Sequence, residues 1–204
     1  MICAYSLSVE DDGSYMLGDD TKTAELYPGF HDWRFLKDGA PHPATCAVCD
    51  RKTDAEFINP RFRVSRRNWD SVVTGDGYYL VSSAFRRVAR QYSWSDVAFV
   101  ELPGDSDYFW LRPSRTLTFD SDRRGTRFEH RCTACKGWFD VVGAHPIMLR
   151  DIDQPLAGGL FQTDLAFGSG HGQSPLIIAG LETAAQIKAA RLRHVDLEPI
   201  LSTP

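Results

Sequence analysis

Two short segments with the same cysteine spacing decide the fold: Cys46-Ala47-Val48-Cys49 and Cys132-Thr133-Ala134-Cys135. In each segment the two-residue spacer lets both sulfur atoms face one ion, and four thiolates complete the tetrahedral shell that Zn²⁺ prefers. Because such a shell leaves no position for a substrate, the pattern predicts a structural metal and not a catalytic one. The sequence therefore predicts one Zn²⁺ ion, with Cys46, Cys49, Cys132 and Cys135 as its ligands.

The long separation of the two segments predicts that the metal joins remote parts of the chain. The second segment starts 86 residues after the first, whereas a compact zinc ribbon spaces its pairs by about 15–20 residues. Two alternatives remain at this point: a redox-active Cys-x-x-Cys, or four plain thiols. A redox turn is expected at the start of a helix, and neither Arg51-Lys52-Thr53-Asp54 nor Lys136-Gly137-Trp138 favours one.

Histidines near the cysteines could replace a ligand. His130 lies two residues before Cys132, and His42 lies four residues before Cys46. We expect both in the flanking loops, facing solvent or lying beside the ligands. The fifth cysteine, Cys3, stands in an apolar stretch and is expected to be a buried small residue.

The composition is that of an ordinary globular protein. The chain has 204 residues, of which 43% are hydrophobic and 25% charged, enough for a substantial core. The net charge of −4 predicts no general attraction to nucleic acid or to anionic membranes. No basic leading region precedes an apolar stretch, and no apolar run reaches the roughly 20 residues that span a bilayer. We therefore expect a cytoplasmic protein, whose reducing surroundings favour metal-bound cysteines over disulfides.

The order of apolar and turn-forming residues predicts an α+β fold with mixed or antiparallel sheets and few helices. A strand, a helix and a strand are expected twice in that order: Tyr78–Val81, a helix capped by Ser82 or Ser83, and Asp96–Leu102; then Leu176–Ala179, Leu181–Arg193 and Val195–Ile200. The recurrence suggests an internal duplication. It divides one compact unit of residues 1–204 into an N-terminal segment, 1–39, and two similar units, about 40–104 and 126–202.

Four further segments lead to expectations about structure. Tyr108–Leu111 and Thr116–Phe119 are expected to form a hairpin or meander, and Trp138–Val142 a strand. Gly168-Ser169-Gly170-His171-Gly172 lacks the lysine and spacing of a phosphate-binding loop, so a flexible turn is expected there. No other catalytic motif stands out, and the sequence favours a protein that is not an enzyme.

Basic residues cluster in two places. Arg61, Arg63, Arg66 and Arg67 alternate in part with Phe62 and Val64, and three more arginines lie within Arg86–Arg90. Such clusters contact phosphates in nucleic-acid-binding proteins, and interleaved aromatic residues stack on bases. The acidic total charge favours the simpler interpretation, which is a half-buried strand with a solvated face at residues 61–67 and an exposed helix face at Arg86–Arg90. A zinc-stabilised nucleic-acid-binding module is kept as the alternative function.

The two cysteine segments, with Gly159–Ser169 and the closing Leu197-Glu198-Pro199-Ile200, resemble the double-CXXCG motif family expanded in myxobacteria. The resemblance is strongest over Cys132–Ile200 and implies a zinc ion on the four cysteines. The chain departs from the motif in that Asp50 replaces the first glycine and Lys136 precedes Gly137.

The resemblance also implies a function. Members of this family resemble immunity proteins of bacterial polymorphic toxin systems, which neutralise a toxin by binding it. We therefore expect a non-catalytic cytoplasmic protein with a toxin as its protein partner. The acidic and aromatic segment Glu101–Trp110 is the candidate contact surface.

Overall fold

The computed structural model describes residues 1–18 and 42–202. Within these ranges the chain forms eleven strands and three helices. The strands are β1 Ile2–Ser8, β2 Ser71–Val73, β3 Tyr79–Ser82, β4 Val97–Leu102, β5 Asp105–Pro113, β6 Arg115–Leu117, β7 Arg127–Arg131, β8 Trp138–Val142, β9 Leu160–Ser169, β10 Ser174–Ala179 and β11 Asp196–Leu201. The helices are α1 Ser83–Gln91, α2 Ser121–Arg124 and α3 Leu181–Ala190, and a 3₁₀ turn spans Gly170–Gly172.

The strands form two sheets, which are almost entirely antiparallel. The larger sheet has the order β11-β1-β10-β9-β8-β7, and β6 adds to β9 as a parallel strand. The smaller sheet has the order β2-β3-β5-β4. With few helices and mainly antiparallel pairing, the predicted α+β class is confirmed.

Both strand–helix–strand units appear where the sequence predicts them. Helix α1 begins after Ser82, whose Oγ accepts the backbone N–H groups of Ala84 (3.1 Å) and Phe85 (3.3 Å), as expected of an N-cap. In the first unit β5 lies between β3 and β4, and in the second β1 lies between β10 and β11. The two units thus share an order of elements, but their origin in a duplication stays a prediction.

The second predicted helix ends earlier than expected. It was expected to continue to Arg193, but α3 stops at Ala190 and Arg191 adopts φ 51°. A residue in this left-handed conformation ends a helix.

The expected hairpin or meander of Tyr108–Leu111 and Thr116–Phe119 is wrong, because β5 and β6 do not pair. Both edges of β5 are already paired, one with β3 and the other with β4. Since no edge is left for it, β6 crosses to the larger sheet and pairs with β9, with Arg115 opposite Phe161.

The central hydrophobic cluster joins the two sheets and two of the helices. It includes Leu7 and Ile177 from the larger sheet, Val81 from the smaller one, and Phe85 and Ile187 from α1 and α3. Strand β1 therefore contributes to the core, and only residues 19–39 of the predicted N-terminal segment lie outside the described residues. No helix in residues 1–18 and 42–202 has both the length and the apolar character needed to cross a bilayer.

Candidate metal centre

The first cysteine segment forms a tight hairpin turn. Thr45 and Lys52 form an antiparallel bridge at its base. Within the turn the N–H of Cys46 donates to the carbonyl of Arg51 (2.9 Å), and the N–H of Asp50 donates to the carbonyl of Cys46 (2.8 Å). These bonds hold the backbone N–H groups of the turn close to the first sulfur.

The second cysteine segment repeats this backbone geometry at the turn between β7 and β8. The N–H of Cys132 donates to the carbonyl of Gly137 (2.8 Å), and the N–H of Lys136 donates to the carbonyl of Cys132 (3.1 Å). Arg131 and Trp138 pair at its base. The two segments are therefore equivalent turns, each directing two sulfur atoms to one side.

The residue after the second cysteine is left-handed in both turns. Asp50 has φ 61° and Lys136 has φ 62°, a conformation that glycine adopts without steric cost. The double-CXXCG motif has glycine at this position, and the left-handed backbone explains why glycine suits it. In this chain the turn geometry is kept with Asp and Lys instead.

The fold brings all four predicted cysteines together. Their sulfur atoms lie within 4.8 Å of one another; the Cys46 and Cys132 sulfurs are 3.9 Å apart, and those of Cys49 and Cys135 are 3.6 Å apart. A tetrahedral Zn²⁺ with Zn–S bonds of about 2.3 Å separates its sulfurs by about 3.8 Å. All five cysteines are free thiols and form no disulfide. The cluster therefore fits a metal site, as the spacing predicts.

The surroundings of Cys132 favour its ionised thiolate form, whereas those of Cys49 oppose ionisation. Backbone N–H groups of Cys135 and Ala134 lower the pKa of Cys132 to about 6. Burial, together with the neighbouring thiols, raises the pKa of Cys49 to about 12. Four thiolates at these distances repel one another, so full ionisation requires a cation among them. A divalent metal supplies that charge.

The two nearby histidines do not reach the cluster of sulfurs. His130 is exposed (74% of its side chain) and its Nδ1 lies 2.7 Å from Asp140, as expected of a solvent-facing residue. His42 also lies in a flanking loop, but its side chain is buried and does not face solvent. Its Nδ1 accepts the N–H of Ala44 and its Nε2 lies 3.0 Å from the carbonyl of Leu17, and burial lowers its pKa.

A third segment links the two cysteine turns. His171 Nδ1 lies 2.5 Å from the Asp50 carboxylate, and Arg51 Nε donates to Gln173 Oε1 at 3.3 Å. The amide nitrogen of Gln173 donates to the carbonyls of Trp138 and Phe139, each at 2.9 Å. The glycine-rich turn before β10 thus fixes the first cysteine turn to the strand that leaves the second.

The sequence gives no sign of this linking segment beyond two polar residues in a glycine-rich turn. His171 is 121 residues from Asp50, and Gln173 is 122 residues from Arg51. The expectation of a turn is met by the 3₁₀ turn at Gly170–Gly172. Its contacts with both cysteine turns are what the sequence interpretation missed.

The basic segment at residues 61–67 is folded onto the protein. Phe62 and Val64 are buried at 5% and 3% exposure, and they lie in a turn-rich segment instead of a strand. Arg67 forms ion pairs with Asp105 and Asp107, each at 2.7 Å. Phe62 is therefore not available to stack on a base.

The expected contact surface at Glu101–Trp110 is also largely internal. Tyr108 and Phe109 are buried at 2% and 6% exposure, and the exposed carboxylate of Asp107 is paired with Arg67. The exposed positions of this segment are Glu101, Pro103, Ser106 and Asp107. Its aromatic residues belong to the cores on the two faces of the smaller sheet.

Comparisons of the chain with protein-family models, with curated proteins and with solved structures find no match. The assignment of the metal centre therefore depends on the geometry of the four sulfurs.

Proposed function

We propose that the protein is a zinc-binding immunity protein: Cys46, Cys49, Cys132 and Cys135 hold one structural Zn²⁺, and the fold so stabilised binds and neutralises a bacterial toxin without catalysis. The observation that carries the metal assignment is the cluster of four free thiols within 4.8 Å, contributed by two equivalent turns. Four sulfur ligands leave no coordination position for a substrate. A reducing cytoplasm suits such a site.

The metal proposal is tested by elemental analysis of the protein purified without chelator. One zinc per chain is expected in the wild type, and the double variant Cys49→Ser with Cys135→Ser should lose it. The matched control is Cys3→Ser, because Cys3 lies outside the cysteine cluster, buried among apolar residues, and its thiol donates to the carbonyl of Ile200. Wild-type protein that neither contains zinc nor takes it up would contradict the proposal.

Support for the immunity role comes from the resemblance to the double-CXXCG family and from the closed metal site. It is tested first by the neighbouring genes, where a toxin-like reading frame directly upstream is expected. Co-expression should then restore growth to cells that carry that toxin, and the two proteins should co-purify. A biosynthetic operon around the gene, or a neighbouring toxin that kills equally in the presence of this protein, would exclude the role.

A further inference from the structure

A cleft of about 400 Å³ opens between α1 and the outer edge of the smaller sheet. Its lining combines apolar and basic side chains: Arg86, Ala89, Arg90, Ser93, Trp94, Val97 and Phe99. Its volume falls in the range of about 300–1,000 Å³ that is typical of binding sites. The site is separate from the cysteine cluster, since no residue of the two cysteine turns lines it.

The aromatic side of the cleft is fixed in place before anything binds. Trp94 Nε1 donates to Gln186 Oε1 at 2.7 Å, and its ring packs edge-on against Phe85. Val97 and Phe99 also pack against the central core while remaining partly exposed. Because these side chains are already ordered, a ligand that covers them loses little conformational entropy of the protein.

The basic side of the cleft carries positive charge without a described counter-ion. Arg86 lies over the ring of Phe109 at 4.2 Å, and no ion pair involving Arg86 or Arg90 is found among residues 1–18 and 42–202. Helix α1 has no acidic residue. The nearby carboxylate of Asp96 is already paired with Arg115. In a protein of net charge −4, this cleft is therefore lined by basic side chains.

The strand beside the cleft is an open edge. Within the described part of the chain β4 pairs with β5 alone, so the backbone groups on its other side are not used in a ladder. Sheets usually protect such edges with proline, with charges or by shortness. The other end strands follow this rule: β11 contains Pro199, β7 is charged at both ends, and β2 has three residues. β4 has six residues, Val-Ala-Phe-Val-Glu-Leu, with a single charge.

We propose that β4 and the cleft together bind an extended, acidic segment of a partner protein. The segment adds to β4 as a new strand, alternate side chains enter the cleft against Trp94 and Phe99, and its carboxylates pair with Arg86 and Arg90. Main-chain hydrogen bonds supply affinity in this mode of recognition, and alternate side chains supply specificity. This proposal rests on the proposed binding function, for which it names a contact surface. It states the chemistry of the partner segment and does not identify the partner.

The test uses the full-length, zinc-loaded protein and a blocked peptide of alternating valine and glutamate as the probe. Backbone amide shifts in NMR spectra should change along residues 86–102 and not at the cysteine turns. The double variant Arg86→Glu with Arg90→Glu should bind about tenfold more weakly or worse. The matched control is Arg87→Glu, which changes the charge of the same helix at an exposed position outside the cleft and should leave the affinity within about threefold.

Strand addition is tested separately by backbone methylation of the probe. In an added strand alternate N–H groups point to β4, so methylation of one alternate set should abolish binding while methylation of the other set should not. Equal effects of both sets would overturn the proposal. So would binding of the valine–lysine analogue with equal affinity, or binding of an oligothymidylate at this cleft when the acidic peptide does not bind. The peptide experiments use no toxin, so a negative result in them does not change the outcome of the growth-rescue experiment. The two proposals can therefore fail separately.

Discussion

Lys136 is held in a backbone conformation that suits glycine. Its φ of 62° costs a residue with a side chain about 1–2 kcal/mol, and glycine would avoid this cost. Part of the gain in stability is lost again, because glycine has greater conformational freedom in the unfolded chain. We expect Lys136→Gly to raise the free energy of unfolding by about 0.5–1 kcal/mol, seen as a higher urea midpoint at unchanged slope.

The control for Lys136→Gly is Lys136→Ala, which removes the Nζ contact with the carbonyl of Thr133 but keeps the backbone penalty. It should not stabilise the protein, and an equal gain from alanine would rule out backbone conformation as the cause. Asp50→Gly relieves the same conformation in the other turn. It should give no such gain, because it also removes the carboxylate that contacts His171.

Asp70 ties the smaller sheet to the end of α3. Its Oδ1 accepts the Ser82 hydroxyl (2.7 Å) and its Oδ2 accepts the N–H of Arg193 (2.8 Å). Burial alone would raise the pKa of Asp70, but the bonds from Arg193 and Ser82 and the Arg193 guanidinium hold it below its ordinary value of 3.8. A lowered pKa means that the ionised carboxylate stabilises the fold above pH 3.8, and that this stabilisation is lost as the pH falls through the lower, folded-state pKa.

We expect Asp70→Asn to lower the free energy of unfolding by about 1–3 kcal/mol at neutral pH. The difference from wild type should shrink as the pH falls below 3.8 and through the lowered pKa of the wild-type carboxylate. Urea titrations at neutral pH and across the acidic range measure it. Asp153→Asn is the control, because Asp153 is exposed and has no partner among the described residues. A difference that is constant with pH would mean that charge at Asp70 contributes nothing.

Among the elements, α1 depends on its N-cap. Ser82 Oγ accepts two N–H groups of the first turn and also donates to Asp70. We expect Ser82→Ala to cost about 1–2 kcal/mol, measured by thermal or urea unfolding. Its neighbour gives a matched control: the Ser83 hydroxyl donates to the carbonyl of Asp107 at 3.2 Å and does not cap α1, so Ser83→Ala should change stability by less than about 0.5 kcal/mol. Equal losses would show that α1 is not fixed by this cap.

Local elements of this chain were predictable, and their partners were not. The strand, cap and helix around Ser82 follow from side-chain chemistry within a few residues, so α1, β3 and β4 lie where the pattern predicts. The pairing of β6 with β9 depends on β5 having no edge left. Whether the edge of a strand is already paired is a property of the whole sheet, and no local sequence pattern reveals it.

The cysteine cluster was predictable from the sequence, and the segment that links its two turns was not, for one and the same reason. The four cysteines repeat a spacing that has one common chemical use, and the fold brings their sulfurs together. His171 and Gln173, which link the two turns, have no such spacing. The mixture of acidic and aromatic residues in Glu101–Trp110 favours a contact surface, but composition alone does not say that both faces of the smaller sheet are covered.

At the scale of the whole molecule, the metal should stabilise one region more than the rest. Both cysteine turns meet at the sulfur cluster, and the segment that links them is bonded to the first turn and to β8. By contrast, β1 is paired on both sides and lines the main cores. We expect chelation to lower the free energy of unfolding, by about 4 kcal/mol relative to free zinc at 1,000 times its dissociation constant.

The residues that lose stability after chelation distinguish a metal that stabilises one region from a metal that stabilises the whole fold. After chelation, amide hydrogen exchange should accelerate most in residues 44–54, 131–139 and 170–173, and least in β1 and β10, which lie inside the larger sheet. Amides that depend on the cluster open locally, while those in the sheet open only when the whole protein unfolds. Exchange that accelerates equally throughout would mean that the chain loses its whole fold with the metal. Unchanged exchange would mean that the three segments are held together by their hydrogen bonds alone.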